Sequence, residues 1–185
     1  MKSNIFIVSG PSGAGKNTVI DGLREYLPIE RVTTTTTRAM RPENSQGNPY
    51  YFISREEFVA RRDHGEFVEW AEQYNGNLYG VTKEELERVK NSGKIGIWEL
   101  EWQGAIAAKK LFPGIPAIFI NAPLDILEKR IRQRDNVTEE YVQERMAYTK
   151  KWLDRMDIYD YVIMNEEGKL KETIAQVAEI IKSHQ

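Results

Sequence analysis

The stretch from Ile5 to Thr18, IFIVSGPSGAGKNT, leaves few choices for how this chain folds. Ile5–Val8 is a continuous apolar run, the pattern of a strand buried on both faces of a parallel sheet. Gly10, Pro11, Ser12, Gly13, Ala14 and Gly15 follow, then Lys16, Asn17 and Thr18. After Lys16 the period becomes helical, with Val19, Ile20 and Leu23 on one face. Strand, glycine-rich turn and helix in this order make a phosphate-binding loop, or P-loop. Glycines let backbone N–H groups converge on phosphate oxygens, and Lys16 adds a full positive charge. One position departs from the motif. The residue after the lysine is normally a Ser or Thr whose hydroxyl holds Mg²⁺, and here it is Asn17. Its amide oxygen is a different ligand at a different reach, and Thr18, one place on, faces elsewhere.

The rest of the chain alternates strands and helices. Helix 15–26 stops before Pro28, and Arg31–Thr37 reads as a short strand leading to Arg38 and Arg41. Tyr50–Ile53 is a strand. Ser54 with Glu57, and Thr82 with Glu85, are capping boxes that open two further helices. Phe67–Trp70 and the turn Asn75–Asn77 come between them. Ile95–Leu100, Ala117–Ile120 and Tyr161–Met164 are strands. Helices cover 104–110, Pro123–Arg134 and Glu139–Met156, with a break at Asp135–Thr138, and a last helix carries Leu170, Ile174, Val177 and Ile181. This order implies an α/β fold with a parallel sheet flanked by helices. Residues 33–81 do not fit a single crossover and read as an inserted lobe. In parallel sheets ligands gather at the C-terminal strand edge. That edge collects the P-loop, the residues after Thr37, and Glu99 and Glu101.

Composition excludes several classes. The chain has 185 residues, enough for one domain with a sizeable core. The net charge of −2 gives no general attraction to nucleic acid. There are no cysteines, hence no disulfides and no thiolate metal site, and His64 and His184 are far apart. No apolar run has membrane-spanning length, and the first strand begins too early for a signal peptide, so a cytoplasmic place is expected.

Several side chains carry candidate chemistry. Arg38 and Arg41, three apart beyond a strand end, can fork onto a phosphate. Arg130, Arg132, Arg134 and Arg145 flank the helix break and suit a mobile, arginine-bearing lid. Glu99 and Glu101 share a side only if the strand runs regularly through Leu100; acids there can hold Mg²⁺ through water or touch an acceptor. Glu69 sits inside an apolar stretch, and Tyr50 and Tyr79 suit either a site or a core.

Separated blocks give these residues a family context: GPSGAGK, TTTRAMRP at 35–42, GNPYYFI at 47–53, FVEWAE at 67–72, NLYGV at 77–81, WELEWQG at 98–104 and YDYVIMNEE at 159–167. In content, order and spacing they resemble guanylate kinase over nearly the whole chain. The resemblance implies a P-loop NTPase core (about 1–32, 83–123 and 146–185), a lobe for a nucleoside monophosphate (about 33–82) and a helical lid (about 124–145). It implies ATP-dependent phosphorylation of GMP, and of dGMP, with ATP and Mg²⁺, by a monomer or homodimer acting on small molecules. Gly10–Thr18 would hold the ATP phosphates, and Asn165 would lie near adenine. Arg38, Arg41, Tyr50 and Tyr79 would grip the GMP phosphate. Glu69 would accept from guanine N1 and N2, Thr34 would stand near O6, and Arg134 and Arg145 would be lid arginines acting with Lys16 and Arg38 in catalysis. Four positions depart from the family pattern besides the lid glycines: Asn17, Val81 for a hydroxyl residue at the base, and Glu99 and Glu101 for aspartates. Two other readings stand beside this one, a P-loop kinase with a different acceptor and a non-catalytic guanylate-kinase-like binding module.

Overall fold

A computed structural model describes residues 4–73, 76–133 and 137–185. Its centre is a five-stranded sheet of β1 (Ile5–Ser9), β2 (Ile29–Arg31), β7 (Ile95–Glu99), β8 (Ala117–Asn121) and β9 (Tyr161–Met164), ordered β2-β7-β1-β8-β9. Every neighbouring pair is parallel. β1 and β8 are central and almost wholly buried, as their unbroken apolar runs require. β9 is an edge strand with Val162 and Met164 exposed.

Alternate residues of the central strands feed two cores. Phe6, Val8, Ile118 and Ile120 pack with Val19, Ile20, Leu127, Val177 and Ile181, from helices α1 (Lys16–Gly22), α5 (Leu124–Arg132) and α7 (Leu170–Ser183). On the other face Ile7, Trp98 and Phe119 pack with Leu86, Val89, Ala105, Ala108 and Trp152. Those come from α3 (Lys83–Lys90), α4 (Trp102–Leu111) and α6 (Glu139–Leu153).

A second sheet carries β3 (Thr34–Thr36), β4 (Tyr50–Phe52), β5 (Phe67–Glu72) and β6 (Leu78–Thr82), ordered β4-β3-β6-β5. Helix α2 (Arg55–Asp63) covers it through Phe58, which stacks on Phe67 at 4.3 Å between centroids. Both capping boxes open helices, since Ser54 accepts from the Glu57 N–H and Thr82 from the Glu85 N–H.

The expected single strand Arg31–Thr37 is in fact two. β2 pairs with β7 in the central sheet, and β3 pairs with β4 and β6 in the second. The chain changes sheets at Val32, buried in the core, and Thr33, whose N–H donates to Glu85 Oε1 at 2.7 Å. Glu85 is 4% exposed, and Arg88 grips the same carboxylate. A β-prone threonine run cannot reveal such a crossing, because what breaks it is a carboxylate more than fifty positions on. The strand expected to continue through Leu100 ends at Glu99, and Glu101 becomes the N-cap position of α4. The regular alternation of Glu99 and Glu101 is therefore lost. Asn75 of the expected turn, and Asp135 and Asn136 of the expected break, lie outside the described residues.

Candidate functional site

The segments that follow the five parallel strands all leave from the C-terminal edge of the central sheet. The loop after β1 is built on glycines at positive φ. Gly10 has φ +148°, and a Cβ there would stand 2.0 Å from the Ile120 carbonyl oxygen. Gly15 has φ +83°, and its missing Cβ makes room for Asn165 Nδ2. That amide donates to the Ala14 carbonyl at 2.8 Å, so Asn165, just past β9, clamps the loop. Arg130 Nη1 donates to the Gly13 carbonyl at 3.1 Å from the other side. Lys16 Nζ lies over the loop, donating to Gly10 O at 2.8 Å and Pro11 O at 3.3 Å, and stands 4.0 Å from Glu99 Oε1. Thr18, Gly15, Arg130, Asn165, Glu166 and Leu170 line a depression of about 210 Å³ beside the loop.

The second sheet turns one face to this edge. Its register explains which side chains share that face. Thr34 pairs with Tyr50, Thr36 pairs with Tyr79, and Glu69 pairs with Val81. A bulge between Phe67 and Glu69 lets Phe67 pack toward α2 while Glu69 turns to the cleft side. Tyr50 meets Tyr79 edge-on at 5.9 Å, and the Arg38 guanidinium stands 5.5 Å from the Tyr50 ring. Burial raises the Tyr50 hydroxyl above its ordinary pKa, and the negative charge of Glu99 adds to the rise. Arg38 Nη2 donates to Asn44 Oδ1 at 2.8 Å, and the same oxygen accepts the Arg41 N–H at 3.3 Å. One side-chain carbonyl thus organises the turn that presents both arginines.

Glu69 is the most perturbed carboxyl of this face. Burial pushes it up to about 7, against a smaller opposing pull from the Val81 N–H it accepts. Gly104 of α4 lies beside this carboxylate: a Cβ there would stand in ordinary contact with Glu69 Oε2, at 3.6 Å, and tightly against Leu100 Cδ2, at 3.0 Å. Val81, opposite Glu69, is fully enclosed in the cluster that holds Trp98, Leu100 and Ala105. Val81→Ser is therefore expected to lower stability by about 2 kcal/mol, from lost packing and a buried hydroxyl, read as a drop in melting temperature.

Glu101 is drawn away from Glu99. Its Oε2 accepts the Tyr148 hydroxyl at 2.7 Å, tying the start of α4 to α6. Arg145, also on α6, lies with its guanidinium 5.2 Å from the Tyr141 ring. Arg132 bridges Glu128 and Glu139, joining α5 to α6. Arg134 lies outside the described residues. The structure thus brings together the P-loop, Asn165, Arg38, Tyr50, Tyr79 and Glu99. Sequence reasoning left Arg130 among the lid arginines and passed over Tyr148 and Asn44; Tyr148 lies one helical turn from Arg145, the one local signal that pointed to it.

The donor set does not make a protein-side Mg²⁺ site. Asn17 Oδ1 accepts from Arg31 Nη1 at 3.3 Å. Glu99, expected to reach a metal through water, lies between two cations, Lys16 and Arg31, with Arg31 Nη1 3.7 Å from its Oε2. Among the described residues no three His, Cys, Asp or Glu side chains cluster as ligands.

The chain is similar to known proteins over nearly its whole length. The family model described as guanylate kinase matches residues 2–184. A guanylate kinase of Idiomarina loihiensis is 39% identical over 168 residues, covering 89% of this chain and 80% of that protein. The crystal structure of guanylate kinase from Anaplasma phagocytophilum superposes with a TM-score of 0.75 at 30% identity, over 98% of this chain and 86% of that one. A shikimate kinase from Bacteroides thetaiotaomicron, 14% identical with a TM-score of 0.50 over 96% and 98% of the chains, shares the fold alone.

Proposed function

This chain belongs to the guanylate kinase family, and on that premise we propose that it transfers the terminal phosphoryl group of ATP to GMP, giving ADP and GDP. The observation that carries the reading is the pairing of two unlike binding surfaces on one cleft. One is the P-loop, with Lys16, Arg130 and Asn165. The other is the sheet face with Glu69, Tyr50, Tyr79 and Arg38.

Each group then has a task. The backbone N–H groups of Gly10–Thr18 other than Pro11, which has none, and the Lys16 ammonium hold the ATP phosphates, while Asn165 and the depression beside it receive the adenosine. Arg38 and Arg41, with the hydroxyls of Tyr50 and Tyr79, grip the GMP phosphate and aim one of its oxygens at the terminal phosphorus of ATP. The new P–O bond forms as the bond to the ADP oxygen breaks, and the leaving electrons stay on ADP. Lys16 and the arginines, Arg134 and Arg145 among them, meet the charge that spreads over the transferring group. No general base is needed, because a phosphate oxygen is already an anion. Glu69 reads the base. Guanine offers N1–H and N2–H₂ donors to an ionised carboxylate, adenine does not, and an unpaired partly buried acceptor penalises the wrong base. Thr34 flanks it, and Val81 lies enclosed beneath it, backing Glu69 from the core. Among the described residues no helix is long and apolar enough to cross a membrane. A cytoplasmic site of action on free nucleotides, as monomer or homodimer, completes the reading.

The test is ADP release in a coupled assay with ATP·Mg²⁺ and GMP, dGMP, AMP, CMP and UMP in parallel. Release with GMP and dGMP, and little with the others, is the expected result. Release with none of them refutes the reading.

A further inference from the structure

The place where a P-loop normally offers a hydroxyl to Mg²⁺ is built differently in this chain. Arg31, the last residue of β2, donates from Nη1 to Asn17 Oδ1 at 3.3 Å and from Nη2 to the Asn17 carbonyl at 3.4 Å. Asp21 Oδ1 at 3.0 Å and Glu99 Oε2 at 3.7 Å hold the same guanidinium from two further sides. A guanidinium has donors only. The carboxamide atom facing it is therefore the oxygen. That oxygen is the one atom of Asn17's side chain able to ligate a cation, and a cation there would stand beside a positive charge. Asn17 Nδ2 is left with two N–H donors and no protein partner among the described residues. Thr18 offers no replacement hydroxyl, since it lines the depression with Arg130 and Asn165.

We propose that Asn17 serves the donor nucleotide as a hydrogen-bond donor to its phosphates instead of a metal ligand, and that Arg31 is the positioning residue that holds its amide in that orientation. The proposal rests on ATP being the phosphoryl donor. Its consequence is a nucleotide grip in which the P-loop supplies N–H groups and positive charge only, and any divalent ion is carried by the nucleotide. Asn17 becomes part of the phosphate cradle, continuous with the backbone N–H groups before it. Arg31 is kept from the phosphates by the two carboxylates that share it.

Calorimetric titration of ADP, in EDTA and in MgCl₂, separates the possibilities. The wild-type dissociation constant is expected to change by less than about threefold between the two buffers. Asn17→Asp keeps the size and the Arg31 partner but turns the donor into an anionic acceptor. In EDTA it is expected to weaken ADP binding on the order of 10²-fold, and MgCl₂ should restore most of the loss. Arg31→Met should weaken metal-free binding about fivefold, with no further loss when combined with Asn17→Ala, as two residues acting as one unit require. Arg31→Lys, which keeps the charge and a donor, should recover part of that loss and guards against a misfolded Arg31→Met. A wild-type protein whose ADP affinity depends on Mg²⁺ as strongly as that of Asn17→Asp overturns the proposal, as do additive effects of Arg31→Met and Asn17→Ala. A wild-type protein that binds no ADP in either buffer refutes the ATP-donor reading itself.

Discussion

Lys16→Ala is expected to lower kcat on the order of 10³-fold while the dissociation constant for GMP stays unchanged. Lys16 springs from the P-loop, and its ammonium donates to the Gly10 and Pro11 carbonyls. Its reach covers both the loop and Glu99, 4.0 Å away. When a phosphoryl group passes between two anionic nucleotides, its charge spreads over oxygens that a fixed ammonium can meet without reorganising. Alanine removes that charge and touches nothing on the sheet face proposed for GMP. Single-turnover kinetics with ATP·Mg²⁺, set beside calorimetric titration of GMP, measure the two quantities separately. Turnover equal to wild type would remove Lys16 from the mechanism. An equal loss of GMP affinity would mean that the loop, which Lys16 braces through two carbonyls, also shapes the acceptor side.

The second large effect falls on Glu69. Glu69→Gln keeps the shape and can still accept the Val81 N–H, yet it cannot take two guanine donors on one ionised group. It is expected to lower kcat/KM for GMP on the order of 10²- to 10³-fold and to leave kcat/KM for AMP, expected to be low in the wild type, unchanged. The wild-type enzyme carries this carboxyl at about 7. Below that value the free protein holds a neutral acid, whose own O–H confronts guanine's donors. The kcat/KM for GMP should therefore fall about tenfold per pH unit on the acid side of 7. Glu69→Gln lacks this limb, which separates it from titration of the GMP phosphate. Stability runs the opposite way. A carboxyl raised on folding binds protons more tightly in the native state, so between about 4.5 and 7 the wild type loses stability as pH rises. Above 7 the full penalty, on the order of 3 kcal/mol, is in force, and below 4.5 it has vanished. Glu69→Gln should thus melt at a higher temperature than wild type at pH 8 and at the same temperature at pH 4. A carboxylate held against its own hydration, and proposed to read the base, is a stability cost that the fold retains.

The sequence carried the phosphate loop, the central strands and both helix caps on its face, because each is written in consecutive residues. Unbroken apolar runs announce strands buried on two sides, and Ser54 and Thr82 announce helix starts through partners three positions on. What could not be read depends on distant partners. The split between β2 and β3 follows from Glu85. The orientation of Asn17 follows from Arg31, which belongs to another strand. Glu101 turns toward Tyr148, one helix away, and so departs from the alternation that its neighbours suggest. Arg130 is one of several arginines in the sequence, and only the packing of α5 against the P-loop singles it out. Val81 stood out as a missing hydroxyl; its complete enclosure beneath Glu69 became visible only with the register of β5 and β6.

Glu85 gives the architecture a modular character. The chain leaves the central sheet beside Thr33, whose N–H binds the Glu85 carboxylate, and returns through Thr82, which caps the Glu85 backbone. Departure and return thus converge on one residue of one core helix. Everything between them forms a cassette spliced in at a single joint. On the proposed reading the cassette holds the phosphate acceptor, so exchanging it would change the acceptor and leave the P-loop half of the molecule intact. The buried carboxylate is the seam between the lobe proposed for the acceptor and the half that carries the P-loop.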